Sequence, residues 1–173
     1  MGGAGALSLP EPITSLIGRD AELATISRLL ADPAVRLLTL VGPGGVGKTR
    51  LALRAASMVA RDFDDGVCFV DLSPVQDPAF VAATIAQALG VESDPRRPVI
   101  NDLVDDLMPQ FLLLVLDNFE HLLPAATVVS QLLVSCPRLV VLATSRERLG
   151  IYGEQVFPRR AVEPAGLGAL AVG

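Results

Sequence analysis

Gly42-Pro43-Gly44-Gly45-Val46-Gly47-Lys48-Thr49 fits the pattern G-x-x-x-x-G-K-[ST]. Its flanks supply the context that this pattern requires. Arg36-Leu37-Leu38-Thr39-Leu40-Val41 is a short apolar run that reads as a buried strand. Thr49 to Ala60 (TRLALRAASMVA) is rich in Ala and Leu and reads as a helix. Strand, glycine loop and helix in that order make a cradle for phosphate. The glycines at 42, 44, 45 and 47 let main-chain N–H groups close on an anion. The loop opens into a helix N-terminus, where free N–H groups and the helix dipole favour negative charge.

The side chains extend the argument. Lys48 is expected to set its ammonium against the outer phosphates of a nucleotide, and Thr49 to offer its hydroxyl to Mg²⁺. Pro43, Val46 and Arg50 complete the expected nucleotide-contact segment. The chain has 14 basic residues, and Lys48 is its single lysine. A chain that uses Arg nearly everywhere keeps Lys where a compact point charge must fit among phosphates.

The 173 residues suit one domain, and 51% of them are hydrophobic, enough for a sizeable core. Aromatic content is 4% with no Trp, so that core is mainly Leu, Val and Ala. A net charge of −5 argues against a nucleic-acid surface, which presents a basic face. Cys68 and Cys136 are isolated and form neither a metal pattern nor a disulfide framework. They read as small buried hydrophobes in a reducing compartment. The N-terminus lacks the charged and apolar regions of a signal peptide. The longest uncharged run, after His121, is broken by Pro124 and falls short of a membrane span. A cytoplasmic protein is expected.

Residues 1–15 read as a flexible leader. Asp20 is a candidate N-cap for a helix with Leu23, Ile26, Leu29 and Leu30 on one face, ended by Asp32-Pro33. Further strands are expected at Val67–Leu72, Phe111–Leu116 and Leu139–Ala143, with a short fifth at Gln155–Phe157. Helices are expected over Pro78–Leu89, closed by Gly90, over Ile100–Met108, with Asn101 as cap, and over Glu120–Ser135. Strands alternating with helices imply an α/β fold with a parallel sheet covered on both faces.

Asp117 ends a run of six apolar residues, Phe111 to Leu116. A carboxylate at the carboxyl end of a buried parallel strand lies at the crevice where such sheets bind ligands. In that position it would hold Mg²⁺ together with Thr49. The competing reading is an N-cap for the helix expected near Glu120. Asn118 follows where many hydrolytic enzymes carry a water-activating carboxylate, and an amide cannot take a proton. Glu120 is one substitute; it reads equally as a first-turn acid facing the helix dipole. Arg146 follows the fourth strand, and its guanidinium would point at the γ-phosphate if that strand neighbours the first. Arg148 reads as surface, and His121 as exposed or satisfied locally.

Five motifs in order now carry a resemblance: Gly18-Arg19-Asp20-Ala21-Glu22, GPGGVGKTRLA (42–52), FVDLSPV (69–75), LLLVLDNFEHL (112–122) and LATSRERLG (142–150). Together they resemble the nucleotide-binding domain of bacterial STAND ATPases, relatives of the NB-ARC domain found in LuxR-type and SARP-type transcriptional regulators. The resemblance covers residues 16–158 as one P-loop domain. It implies a three-layer P-loop NTPase sandwich with strand order 5-1-4-3-2. It implies a switch, closed with ADP and open with ATP, that engages protein partners or itself in the ATP state. Lys48, Asp117 and Arg146 inherit the catalytic positions, Thr49 and Asp117 the metal, and Arg19 a place near the adenine. Asn118 departs from the paired acids of plant and animal relatives, so slow hydrolysis is expected. Residues 159–173 do not match the family's usual continuation and read as an irregular tail. Neither direct nucleic-acid binding nor membrane attachment is expected of this chain. Two other readings remain. A small-molecule kinase would need an arginine-bearing lid, for which Arg96 and Arg97 in the 91–98 loop are the candidates; a fragment without nucleotide affinity is the other. A GTPase is disfavoured, because its guanine-reading motif needs a second lysine.

Overall fold

The computed structural model describes residues 9–10 and 16–158. The expectations for the leader at 1–8 and 11–15, and for the tail at 159–173, lie outside the described residues.

Five strands form one parallel sheet: β1 (Leu37–Val41), β2 (Val67–Asp71), β3 (Leu113–Asp117), β4 (Val140–Ser145) and β5 (Glu154–Pro158). Their order is β2-β3-β4-β1-β5, the expected 5-1-4-3-2 read from the other edge. β4 therefore lies between the glycine-loop strand and the Asp117 strand, with Leu40 opposite Thr144 and Leu116 opposite Ala143. β3 and β4 are buried along their whole length, which is why they read as unbroken apolar runs. The edge strand β5 is half exposed, so its pattern is weak.

Among the described residues, five α-helices cover the sheet: α1 (Asp20–Ala31), α2 (Lys48–Val59), α3 (Val81–Leu89), α4 (Val99–Leu107) and α5 (Ala126–Ser135). Side chains alternate across a strand, so each strand feeds two cores. Leu38, Leu40, Leu113, Val115 and Leu142 pack with Leu23, Ile26 and Leu30 of α1 and Leu51, Ala52 and Ala55 of α2. Leu114, Leu116, Val141 and Ala143 face the other way, against Ile85 of α3, Leu103 and Leu107 of α4 and Val129 and Leu132 of α5. The result is three layers. Cys68 and Cys136 are free thiols buried in the second core, and burial pushes the Cys68 thiol up to about 11.

Three local expectations are corrected. Asp20 is the first helical residue rather than the cap; Arg19 holds that place and its carbonyl accepts from the Leu23 N–H. Asn101 lies inside α4, whose cap position is Pro98. The helix expected from Glu120 starts later. Phe119 turns into the core, a short 3₁₀ segment spans Leu123–Ala125, and α5 begins at Ala126. Pro124 lacks an N–H and fits the first turn of that segment, so it marks a helix start rather than an interior.

Candidate functional site

The glycine loop leaves β1 and turns into α2 at the carboxyl end of the sheet. Gly42 N donates to the Ser145 carbonyl at 3.2 Å, so β4 anchors the loop's entrance. Gly47 closes the loop with φ +80°, the left-handed region, and serves as the N-cap of α2. Lys48 is 8% exposed and its Nζ donates to the Gly42 carbonyl at 2.6 Å and the Pro43 carbonyl at 2.8 Å. Burial lowers the Lys48 pKa; Glu120 and Asp117 counter this, while Arg146 adds to it. An anion entering the cradle would favour the charged form again.

Asp117 ends β3 and is 2% exposed. Thr49 Oγ1 donates to its Oδ1 at 2.8 Å and lies 3.0 Å from Oδ2. Thr144 Oγ1 donates to Oδ1 at 2.6 Å, and Asn118 Nδ2 to Oδ2 at 2.9 Å. Burial pushes the carboxyl above its ordinary range, opposed by the Thr144 and Thr49 hydroxyls and assisted by the charges of Asp71 and Glu120. No helix starts close enough for Asp117 to cap it. Thr49 and Asp117 together present hard oxygen donors beside the loop, the donor type that Mg²⁺ prefers.

A cavity of about 530 Å³ opens above these groups. Gly44, Lys48, Thr49, Asn118, Glu120 and Arg146 are among its walls. A second hollow of about 500 Å³ shares Gly44, Gly45, Gly47 and Arg50 and runs on to Val46, Leu16 and Arg19. The two hollows adjoin along the glycine loop, with Arg146 lining the first and Arg19 the second. Arg19 pairs with Glu22 at 3.3 Å. Arg146 lies 3.8 Å from Glu120 Oε1, and its Nη2 would be 3.1 Å from a Cβ added at Gly44. The structure thus brings every residue of the expected site to one end of the sheet.

Two features were missed from the sequence. Thr144 is a buried hydroxyl that holds Asp117 and also accepts the Asn118 N–H at 2.9 Å. Asn118 has φ +63°, and among the described residues it is the non-glycine residue in that region. Asn tolerates this conformation better than most. The signal for Thr144 was present, a polar residue ending an apolar strand, but its partner lies on another strand.

The other candidates lie elsewhere. Arg96 pairs with Asp94 at 3.0 Å, and Arg97 with Asp102 at 2.9 Å and Asp105 at 2.6 Å. Neither lines the loop cavity. His121 is exposed, with Nε2 2.6 Å from the Val75 carbonyl, and Arg148 is exposed. A further cavity of about 530 Å³ lies at the amino ends of the strands among Leu30, Val35, Phe63, Phe111 and Val140. Arg36 beside it donates to the carbonyls of Leu133 in the last turn of α5 and of Cys136 and Leu139 in the turn that follows. No helix among the described residues is long and apolar enough to cross a membrane.

A family model described as an AAA domain matches residues 34–151. A Mycobacterium tuberculosis protein named as an HTH-type transcriptional regulator is 51% identical over 120 residues, covering 69% of this chain and 13% of that protein. The chain thus spans about an eighth of that relative's length. The Aeropyrum pernix ORC2 protein, solved in ADPNP-ADP complexes, superposes with TM-score 0.63 at 16% identity, over 88% of this chain and 51% of that one. A Pyrococcus horikoshii signal transduction ATPase with numerous domains (STAND), carrying a tetratricopeptide repeat sensor, superposes with TM-score 0.59 at 16% identity, over 91% and 25%. At these identities the two structures speak for the fold.

Proposed function

This chain belongs to the AAA domain family, and from that membership we propose that it binds ATP and ADP with Mg²⁺ as the switch domain of a bacterial transcriptional or signalling regulator. One observation carries the reading. The single lysine of the chain, the glycine loop and Thr49 line one open cavity, and Thr49 donates to the buried Asp117 carboxylate directly behind it.

Residues 16–158 act as the nucleotide-binding unit. The loop from Gly42 to Thr49, with Arg50, wraps the phosphates, and Lys48 exchanges its two carbonyl partners for phosphate oxygens. Thr49 and Asp117 hold Mg²⁺, which when bound neutralises phosphate charge. Arg19, which lines the second hollow, contacts the adenine, and Arg146, which lines the first, contacts the third phosphate; their places in these two cavities support those roles. Asn118, where a carboxylate base stands in many relatives, gives its amide to Asp117, and hydrolysis is slow for that reason. The ATP state then persists long enough to engage a protein partner or a second copy, in the cytoplasm and without direct contact to nucleic acid. The ORC2 relative, solved with ADPNP and ADP, and the 51% identity to a transcriptional regulator support this reading.

Titration calorimetry with ATP, ADP and GTP tests it. Micromolar binding of both adenine nucleotides and weaker GTP is expected. In Arg146→Ala, ATP affinity should fall more than ADP affinity, because only ATP carries the γ-phosphate. No heat from ATP or ADP at millimolar concentration would leave this chain a domain without nucleotide affinity.

A further inference from the structure

One carboxylate in the cavity has no role in the reading above. Glu120 does not open a helix, since α5 begins at Ala126, so it has no helix dipole to complement. Its side chain lies in the turn after β3 and lines the loop cavity beside Lys48, Thr49 and Asn118. Oε2 is buried and, among the described residues, no group hydrogen-bonds it. A carboxylate oxygen left that way is costly and calls for a water or ligand proton. Oε1 faces Arg146 Nε at 3.8 Å. Arg146 is two-thirds exposed and its guanidinium reaches the glycine loop at Gly44. It therefore spans from the carboxylate to the glycine loop. At 3.8 Å, with its arginine two-thirds exposed, the pair is loose enough to exchange partners. The charge of Glu120 is also felt at Lys48 and at Asp117.

We propose that Glu120 is the general base of this domain's hydrolytic step, and that Arg146 restrains it until a third phosphate draws the guanidinium away. This rests on the ATP-binding reading. With ADP or no nucleotide, Arg146 stays on Oε1. With ATP, Arg146 turns to the γ-phosphate and the carboxylate is free to orient a water. The water oxygen then bonds to the γ-phosphorus as its proton passes to Glu120. The bond from the γ-phosphorus to the bridging oxygen breaks, and its electron pair stays on ADP. Inorganic phosphate and ADP leave, and Glu120 releases its proton to solvent. Asn118 itself takes no proton, so turnover waits on the release of Glu120 from its arginine and stays slow.

The test measures ATP and ADP affinity, melting temperature and ATP turnover for the native chain, Glu120→Gln, Glu120→Asp, Arg146→Ala and the Glu120→Gln/Arg146→Ala double variant. A general base contributes about 10²–10⁴-fold, so Glu120→Gln should lose most turnover while still melting cooperatively. Glu120→Asp, which keeps the charge but shortens its reach, should lose less. Glu120→Gln should also bind ATP severalfold more tightly with ADP affinity unchanged, because Arg146 is no longer held. That gain should vanish in the Arg146→Ala background. Native-rate turnover by Glu120→Gln, or no turnover by a native chain that binds ATP, overturns this inference and leaves the binding reading standing. Absence of nucleotide binding by the native chain overturns both. If Glu120→Gln does not fold, Glu120→Asp at the native rate and with native ATP affinity is the overturning result.

Discussion

Lys48, the proposed phosphate-binding residue, is held by its own loop. Its ammonium is buried against two carbonyls of its own loop, at 2.6 and 2.8 Å. Burial, with the charge of Arg146, lowers its pKa, so the charge is kept at a cost that phosphate would relieve. Lys48→Ala should therefore leave the fold intact and weaken ATP at least tenfold, since a charge-assisted contact is worth roughly 1.5–3 kcal/mol. Calorimetry on a variant that still melts cooperatively checks this; unchanged ATP affinity would remove Lys48 from the site. Asp117 carries the same tension with the opposite charge. Its folded pKa is raised above the ordinary value of 3.8, chiefly by burial. The folded state thus favours the protonated form. Its contribution to stability is fully present below 3.8 and is lost as pH rises through the raised folded value. At pH 7 the ionised group costs stability. Asp117→Asn, with the Asn118 amide turned to offer its oxygen, should melt higher than the native chain at pH 7 without nucleotide. The difference should shrink toward pH 4, while Mg²⁺-dependent ATP binding weakens. A variant that melts below the native chain at pH 7 would show that the hydrogen bonds from Thr49, Thr144 and Asn118 outweigh burial. Residue identities here were legible, because the motif names them. Thr144 and the φ of Asn118 were not, because each depends on a contact between separate strands.

At the scale of elements, two helix ends rest on a glycine in the left-handed region. Gly47 caps the start of α2 at φ +80°, and Gly90 the end of α3 at φ +71°. Neither has a neighbour that a Cβ would strike, so the penalty at each is conformational, roughly 1–2 kcal/mol for a residue with a side chain. Gly47→Ala and Gly90→Ala should lower the melting temperature by similar amounts. Only Gly47→Ala should also weaken ATP, since its strain distorts the phosphate cradle. Equal losses of affinity in both variants would mean that general destabilisation, rather than loop geometry, sets binding. Element boundaries were legible where a chemical stop stands in the chain, as at Gly90. They slipped where packing intervened. Phe119 buries itself after β3, and the chain reaches α5 only beyond Pro124. That delay is what removes Glu120 from a helix and leaves it facing the cavity.

For the whole molecule, the site is a seam between parts that are far apart in sequence. The loop after β1, the turn after β3 and the end of β4 meet only once the sheet has formed. A ligand that bridges them ties both cores together. At ligand about a thousandfold above its dissociation constant, mass action adds about 4 kcal/mol. For a domain of this size, about 4 kcal/mol corresponds to a rise of roughly 8–16 °C. A melting scan with Mg²⁺ and ATP, against one with Mg²⁺ alone, should show a rise of that order. No shift at millimolar ATP would count against the proposed function at its root.

The sequence by itself determined the parallel α/β architecture, because unbroken apolar strands alternating with helices have few other ways to be buried. It also determined the glycine loop proposed as a phosphate cradle, whose residues are contiguous and whose chemistry is local. Strand order came from resemblance to a family, since nothing in a strand's own residues names its neighbour. Tertiary structure alone decided that Thr144 holds Asp117, that Arg96 and Arg97 are occupied by acids outside the site, and that Glu120 faces Arg146 across the cavity. Each of these is a meeting of side chains from separate segments. Their distances are set by how the layers pack, and no local pattern in the chain encodes them.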